Sequence, residues 1–356
     1  MKIAYILEWD ISVDSGVFNK VLAQTKVWKE NGHNVRIYAI TPHKRDNEFD
    51  DFIYQYSSDF SFLKSSLKTY INKIVSIKKV QKDLKIFKPD IVYIRQPIWY
   101  PGIDKFLANF TSIMELNTDD LNEIKLLPKI KQYIYLYGRE KIINSVKGFV
   151  SVSYEIERLY KKYNKPIVTI ANGYDISQIP EFEKVINKRK QVIFVGSPNQ
   201  AWHGVEKIVY LAQNLKEFDF HIVGPTLNLS KKLDNLILHG YLAKKDLFEL
   251  YKKMDVGIGT LSLYKNGMQE ASPLKVREYI AFKLPVILGY KDTDLDGKEY
   301  ILNIGNYENN VKDNIEKIRE FIQESDSLCN KIDPNIISYE NKERKRLEFF
   351  ENVVKG

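Results

Sequence analysis

Residues 191–196 read Gln191-Val192-Ile193-Phe194-Val195-Gly196, four apolar residues in succession closed by a glycine. A strand with one wet face alternates apolar and polar side chains. A run that is apolar on both faces belongs to a parallel strand covered by helices on each side. Ile91-Val92-Tyr93-Ile94 has the same character. Outward from these two, short β-rich runs alternate with longer helical patterns along the whole chain. The first half offers strands at 2–8, 34–40, 90–94, 111–116, 148–152 and 167–170, and the second at 191–196, 219–224, 236–239, 255–259 and 285–289. This alternation predicts an α/β protein of doubly wound sheets with right-handed crossovers, and so many strands divide more naturally into two sheets than one. The expectation is two Rossmann-like domains, 1–171 and 172–336, joined at the turn Asn172-Gly173 and the polar stretch up to Lys190. Residues 337–356 read as a final helix, with Leu347, Phe350 and Val354 on one face, packing back on the first domain. In such a tandem a ligand belongs at the carboxyl ends of the strands, in the cleft between domains.

Composition narrows the class. The chain has 356 residues, 44% hydrophobic and 28% charged, which fits a folded globular protein and not a disordered one. The single cysteine, Cys329, excludes an internal disulfide framework. No uncharged apolar run approaches the roughly 18 residues of a membrane span, and the first residues read as a strand interrupted by Glu8 and Asp10, not as a signal peptide. The net charge is +8, and all of the excess lies in residues 1–170. Residues 61–88 hold lysines at 64, 68, 73, 78, 79, 82, 85 and 88, opposed only by Asp83, with Leu63, Leu67, Tyr70, Ile71, Ile74 and Val75 at helical spacing. Two readings stand: a basic amphipathic helix on an anionic membrane surface, or a crossover helix with its lysines in water. Nucleic acid is disfavoured, because no recognition motif accompanies the charge.

The segment with the most chemistry is Glu270-Ala271-Ser272-Pro273-Leu274-Lys275-Val276-Arg277-Glu278, continuing as Tyr279-Ile280-Ala281-Phe282-Lys283-Leu284-Pro285-Val286-Ile287. Ser272 followed by proline and a helical pattern marks a helix start. Backbone N–H groups at Ser272, Leu274 and Lys275 would then favour an anion such as a diphosphate, with Lys275 adding mobile charge. Ionised carboxylates only accept hydrogen bonds, so Glu278 suits ribose hydroxyls and Glu270 suits sugar hydroxyls.

Two glutamates eight apart, followed by Tyr-Ile-Ala-Phe-Lys-Leu-Pro-Val-Ile, resemble the signature of retaining nucleotide-sugar glycosyltransferases of family 4, which have the GT-B fold. The resemblance implies that Glu270 lies by the donor sugar and that Glu278 binds the nucleotide ribose. Tyr279 stands where that family has an alanine and Lys283 where it has a glycine. Asp14-Ser15-Gly16-Val17-Phe18 resembles the family's glycine loop, where backbone approaches the diphosphate at Gly16; a plain turn reads the same way. Asn31-Gly32-His33-Asn34-Val35 matches as a helix end, with His33 structural. Phe194-Val195-Gly196-Ser197 followed by Trp202-His203-Gly204 resembles the loop opening the second domain, with Gly196 near the diphosphate. Ser197 and His203 stand where the family has arginine and lysine, so His203 would supply charge there only when protonated. Ile170-Ala171-Asn172-Gly173 resembles the junction turn, and Leu238-His239-Gly240-Tyr241 the loop that cups the base.

Further candidates follow Glu115-Leu116 in the first half: Asn117 and Asp119 as sugar contacts, with helix capping the alternative for Asp119, and Arg95 after the strand at 90–94. The expected activity is transfer of a sugar, with retention, from a nucleotide diphosphate donor to a glycan or lipid-linked acceptor in cell-surface glycan synthesis. Glu270 and Lys275 are the expected catalytic residues. Glu278, Gly16, Ser272, Leu274, His203 and Gly196 are the expected donor-binding ones. No acidic metal cluster is evident, so neither metal nor cofactor is expected, and the expected location is cytoplasmic, peripheral on the inner face of the membrane. A nucleotide-sugar 2-epimerase and a non-catalytic binding subunit are the alternatives.

Overall fold

A computed structural model describes residues 1–13, 15–45, 52–58, 65–227 and 232–356, without the side chains of 65, 66 and 126. Asp14 and residues 61–64, which figured in the sequence reading, lie outside these. The chain forms two compact units: Met1–Ile170 with Lys342–Gly356, and Ala171–Asn341.

The first unit holds strands β1 (Lys2–Glu8), β2 (Asn34–Ile40), β3 (Ile53–Tyr56), β4 (Ile91–Arg95), β5 (Ser112–Leu116), β6 (Gly148–Ser151) and β7 (Ile167–Thr169). Its helices are α1 (Gly16–Glu30), α2 (Ser65–Phe87), α3 (Ile103–Ala108), α4 (Asp120–Glu123), α5 (Lys129–Ser145) and α6 (Tyr154–Tyr160). The second unit holds β8 (Gln191–Val195), β9 (Asp219–Val223), β10 (Leu236–Gly240), β11 (Val256–Ile258), β12 (Glu270–Ala271), β13 (Val286–Leu288), β14 (Lys291–Asp292) and β15 (Ile301–Asn303). Its helices are α7 (Val205–Asn214), α8 (Lys244–Tyr251), α9 (Leu274–Ala281), α10 (Asn310–Asp313), α11 (Ile315–Gln323) and α12 (Ser325–Cys329); α13 (Tyr339–Lys355) follows.

The sheet orders are β3-β2-β1-β4-β5-β6-β7 and β10-β9-β8-β11-β13-β15. All pairings in both are parallel. Each sheet thus reverses its strand order once, between β1 and β4 and between β8 and β11. In doubly wound sheets the crevice at such a reversal is where ligands bind. The central strands are buried on both faces: Ile91 to Ile94 and Val192 to Phe194 are at most 1% exposed. The expected α/β class of two Rossmann-like sheets is the observed one. Strands β3, β12, β14 and β15 were not anticipated.

Helix α2 is a crossover helix. Ile77, Val80, Leu84 and Phe87 are buried, while Lys78, Lys79, Lys82 and Lys85 face water. Asp119 caps α4, accepting from the N–H groups of Leu121 and Asn122 at 3.1 and 3.2 Å, as the capping alternative has it. His33 follows the left-handed Gly32 and takes the terminal amine at 3.1 Å, a structural role.

The last helix completes the first unit's core. Trp28 packs edge-on against Tyr93 and Phe350, with centroids 5.7 and 5.5 Å apart. Its indole N–H donates to Glu343 at 2.8 Å. Arg346, 2% exposed, donates to Glu343 at 2.7 Å and to the Tyr93 hydroxyl at 2.8 Å. Buried charges persist only when paired and hydrogen-bonded in this way.

Two departures from the family pattern have physical explanations. The Tyr279 hydroxyl accepts the N–H of Val195 at 2.9 Å, and its ring fills the space where a Cβ on Gly257 would lie, 2.5 Å from that ring. Tyrosine is accommodated because β11 supplies a glycine opposite it. Lys283 has φ 55°, in the left-handed region that ends helices and that glycine adopts without cost. We expect Lys283→Gly to stabilise the chain by up to about 1 kcal/mol, read as a raised urea midpoint at unchanged slope. A lowered midpoint would contradict this account of the helix end.

Candidate active site

The second unit's site grows from the ends of β8 and β11. After β8 the chain turns at Gly196, where an added Cβ would lie 2.7 Å from the His203 ring. Gly224, after β9, has φ +97°, and a Cβ there would come within 1.9 Å of the Gly196 carbonyl oxygen. Only glycine at 224 lets the two loops pass. Gly204 (φ +69°) then opens α7.

Helix α9 starts beside this loop. Its capping position is Pro273, and Ser272 does not cap it. Instead the Ser272 hydroxyl accepts the Asn172 N–H at 2.8 Å, and the Asn172 amide donates to the Ser272 carbonyl at 2.6 Å. The junction turn therefore holds the loop in front of α9. Leu274 and Lys275 open the helix, so no earlier turn can satisfy their N–H groups. Lys275 and Glu278 stand three apart, on the same face.

Electrostatics single out Lys275. Its Nζ is shielded from water and has no hydrogen-bond partner among the described residues. It lies 4.2 Å from the centre of the Phe194 ring. Burial pulls its pKa down to about 7. His203, 8% exposed, packs edge-on against Phe194 at 5.2 Å. Its pKa falls to about 3, through burial first and the neighbouring Lys275 charge second. In the free protein His203 is therefore neutral at pH 7, and the site's mobile charge sits on Lys275. Glu278 accepts the Tyr251 hydroxyl at 3.0 Å, and burial raises its pKa. Glu270 is buried at the start of β12, paired in register with Lys291.

Gly196, His203, Lys275 and Phe194 thus share one neighbourhood. Ser272, Leu274 and Glu278 belong to the helix start and first turns beside it. Gly16 belongs to the first unit, where it opens α1 under a Ser15 cap.

Two positioning residues escaped the sequence reading. Arg277, fully buried, makes a bidentate pair with Asp292 at 2.5 and 2.9 Å and donates to the Asn172 carbonyl at 3.0 Å. Lys207 donates to the Leu261 and Tyr307 carbonyls at 2.9 and 3.0 Å and to Asn310 at 2.7 Å. The signal for Arg277 was its place on the apolar face with Ile280 and Ala281, where a charge needs a partner. Among the described residues no cluster of His, Cys, Asp and Glu could hold a metal ion.

The first unit has a cavity of about 300 Å³ at its own reversal point, reached by Glu8, Arg95 and Asn117 from the ends of β1, β4 and β5.

Residues 189–324 match the family model described as glycosyl transferases group 1. Among solved structures, sucrose-phosphate synthase from Thermosynechococcus elongatus is similar over 99% of both chains, with TM-score 0.68 and 11% identity. A glycosyltransferase from Rickettsia africae gives 0.66 and 16%, over 100% of this chain and 99% of that one. HepE of Anabaena, solved with UDP, gives 0.64 and 12%, over 99% and 100%. A search of the curated proteins gives no match. The architecture is that of the GT-B glycosyltransferases, and the glycosyl transferases group 1 match falls on the second unit.

An anion entering the site favours the charged form of Lys275 and so draws in a proton when the pH lies above about 7. At pH 8, calorimetry of UDP binding in buffers of different ionisation enthalpy should show proton uptake approaching one per site. Affinity should fall as pH rises further. Lys275→Met should abolish the uptake; uptake that persists in the variant would exclude Lys275 as its source.

Proposed function

We propose that this glycosyltransferase moves a sugar, with retention, from a nucleoside diphosphate donor held by the second unit to an acceptor bound by the first. The observation that carries this reading is the partnerless Lys275 ammonium at the opening of α9, with Glu278 one turn further along. A diphosphate supplies the missing negative charge, and Glu278 offers its carboxylate to two vicinal ribose hydroxyls. UDP bound to HepE of Anabaena supports a nucleoside diphosphate as ligand.

In the proposed step the bond from the anomeric carbon to the donor phosphate oxygen breaks, and the acceptor hydroxyl oxygen bonds to that carbon on the same face. The departing phosphate oxygen takes the hydroxyl proton. Lys275 and the free N–H groups of Leu274 and Lys275 stabilise the charge that grows on the diphosphate, as fixed donors in a dry site do. Glu270 is assigned to the sugar's hydroxyls, and the buried His203 shapes the loop.

The membrane part of the reading moves to a different helix. The exposed face of α2 is mainly lysine, with Leu67 and Ile86 as exposed apolar side chains at its two ends. On α5, Ile130, Tyr133, Leu136 and Tyr137 are 67%, 70%, 53% and 64% exposed. Lys125, Lys129 and Lys131 accompany them, and residues 124–138 contain no acidic side chain. Such a face suits the boundary of an anionic bilayer, at about 1 kcal/mol per basic residue near the surface. No helix among the described residues is long and apolar enough to cross a membrane.

Glu278→Ala should raise the dissociation constant for UDP about tenfold or more, since hydrogen bonds to a charged acceptor contribute about 1.5–3 kcal/mol. Glu270→Gln should lower kcat with little change in UDP affinity. Unchanged kinetics in both would remove the site assignment, and conversion of a nucleotide sugar to its 2-epimer without acceptor would replace the reaction. In flotation with vesicles containing anionic lipid, the wild type should rise with the lipid. Ile130→Ser with Leu136→Ser should not, and equal flotation of both would refute the role of α5.

A further inference from the structure

Among the described residues, the cavity at the reversal point of the first sheet contains one cation that makes no ion pair. Glu8, at the end of β1, is occupied: Lys73 lies 2.6 Å from one oxygen, and the Tyr100 hydroxyl donates to the other at 2.5 Å. Asp120 is occupied by Arg139 and by the hydroxyls of Tyr135 and Tyr160, at 2.5 and 2.9 Å. Beneath the cavity, Glu115 is fully buried and paired with Lys20 at 2.8 Å, with Arg346 at 3.9 Å. Asn117, which lines the cavity, accepts the Lys20 ammonium at 3.1 Å. Arg95 closes β4 and lines the same cavity, yet among the described residues its guanidinium makes no hydrogen bond or ion pair, acting on the buried Glu115 only by longer-range attraction. The buried group formed by Lys20, Arg346, Glu115 and Glu343 is neutral, so Arg95 stands above it as excess charge. Its repulsion is among the causes that lower the Lys20 pKa to about 8. Glu123, also at the cavity, is exposed at its rim.

A guanidinium has five donors in a planar fork that fits a carboxylate or phosphate with two parallel hydrogen bonds. Arg95 helps to offset the buried Glu115 carboxylate, yet its fork of donors stays without an ion pair at the position where a doubly wound sheet binds its ligand. We propose that the cavity is the acceptor subsite and that it selects an acceptor carrying an oxyanion, carboxylate or phosphate, held by Arg95. This rests on the glycosyltransferase reading for the word acceptor; the oxyanion preference rests on the cavity alone. The hydroxyl to be glycosylated would belong to the same molecule, and the neutral rim of Gln96, Asn117 and Thr118 offers hydrogen bonds to its sugar ring.

The test is titration of the full chain, saturated with UDP, with glucuronate, glucose 6-phosphate and glucose, followed by the Nε–H resonance of Arg95 in NMR. That resonance is assigned by its loss in Arg95→Gln. Both anions, or one of them, should shift it and bind at least about tenfold more tightly than glucose. The anion that binds identifies carboxylate or phosphate as the group selected. Arg95→Gln should bind all three alike and keep its UDP affinity. If wild type does not separate the anions from glucose, or if Arg95→Gln keeps the separation, the proposal is overturned. If UDP itself fails to bind, the donor assignment fails, and the same titration without UDP still decides the role of Arg95.

Discussion

A parallel sheet leaves every strand end of one kind on a single edge, and both sheets of this chain are parallel throughout. That constraint concentrates the chemistry. Loops that leave the carboxyl ends can approach a ligand, and reversal of the strand order opens a crevice between two of them. In the second unit the crevice falls after Val195 and Ile258; in the first it falls after Glu8 and Arg95. The residues assigned to donor and acceptor lie at these two points. Asn172, Arg277 and Lys207 then fix the loops in place, each bonding to backbone carbonyls that the turns would otherwise leave unsatisfied.

How much of this could be read beforehand follows from what each pattern encodes. Runs such as 191–195 and 91–94 announce themselves because burial on both faces excludes polar residues. Strand β15 has three residues and β12 and β14 two each, too short for any periodicity to register. β3, with Gln55 among its four residues and only half-buried, sits at the sheet edge, where the pattern is weakest. The start of α9 was legible within a residue, from proline followed by a helical apolar pattern at Leu274. The site was illegible where a charge is buried: Arg277 stood on an apolar face, but what it and Lys207 hold appears only when their partners, distant in sequence, come into view. Ser272 reads as a cap and holds Asn172 instead. The difference depends on a residue a hundred positions away.

Charge tells the same story at larger scale. The +8 is spread through the first half, yet Lys78, Lys79, Lys82 and Lys85 on α2 face water, as the outer face of a crossover helix requires. The cations assigned to the two sites make no ion pair among the described residues. Lys275 in one unit and Arg95 in the other are held by the scaffold at an electrostatic disadvantage, and perturbed or uncompensated groups of this kind collect at functional sites.

The final helix has a consequence for how the molecule is made. Trp28, Gln24 and Tyr93 are translated early, but the groups that satisfy them, Glu343 and Arg346, follow the whole of the second unit in the sequence. The first unit therefore waits through synthesis of the entire second unit with an open core. Domains commonly fold in the order they emerge; here the amino-terminal one closes last, and a nascent chain halted before residue 342 would expose the indole of Trp28 to whatever chaperone surveys it.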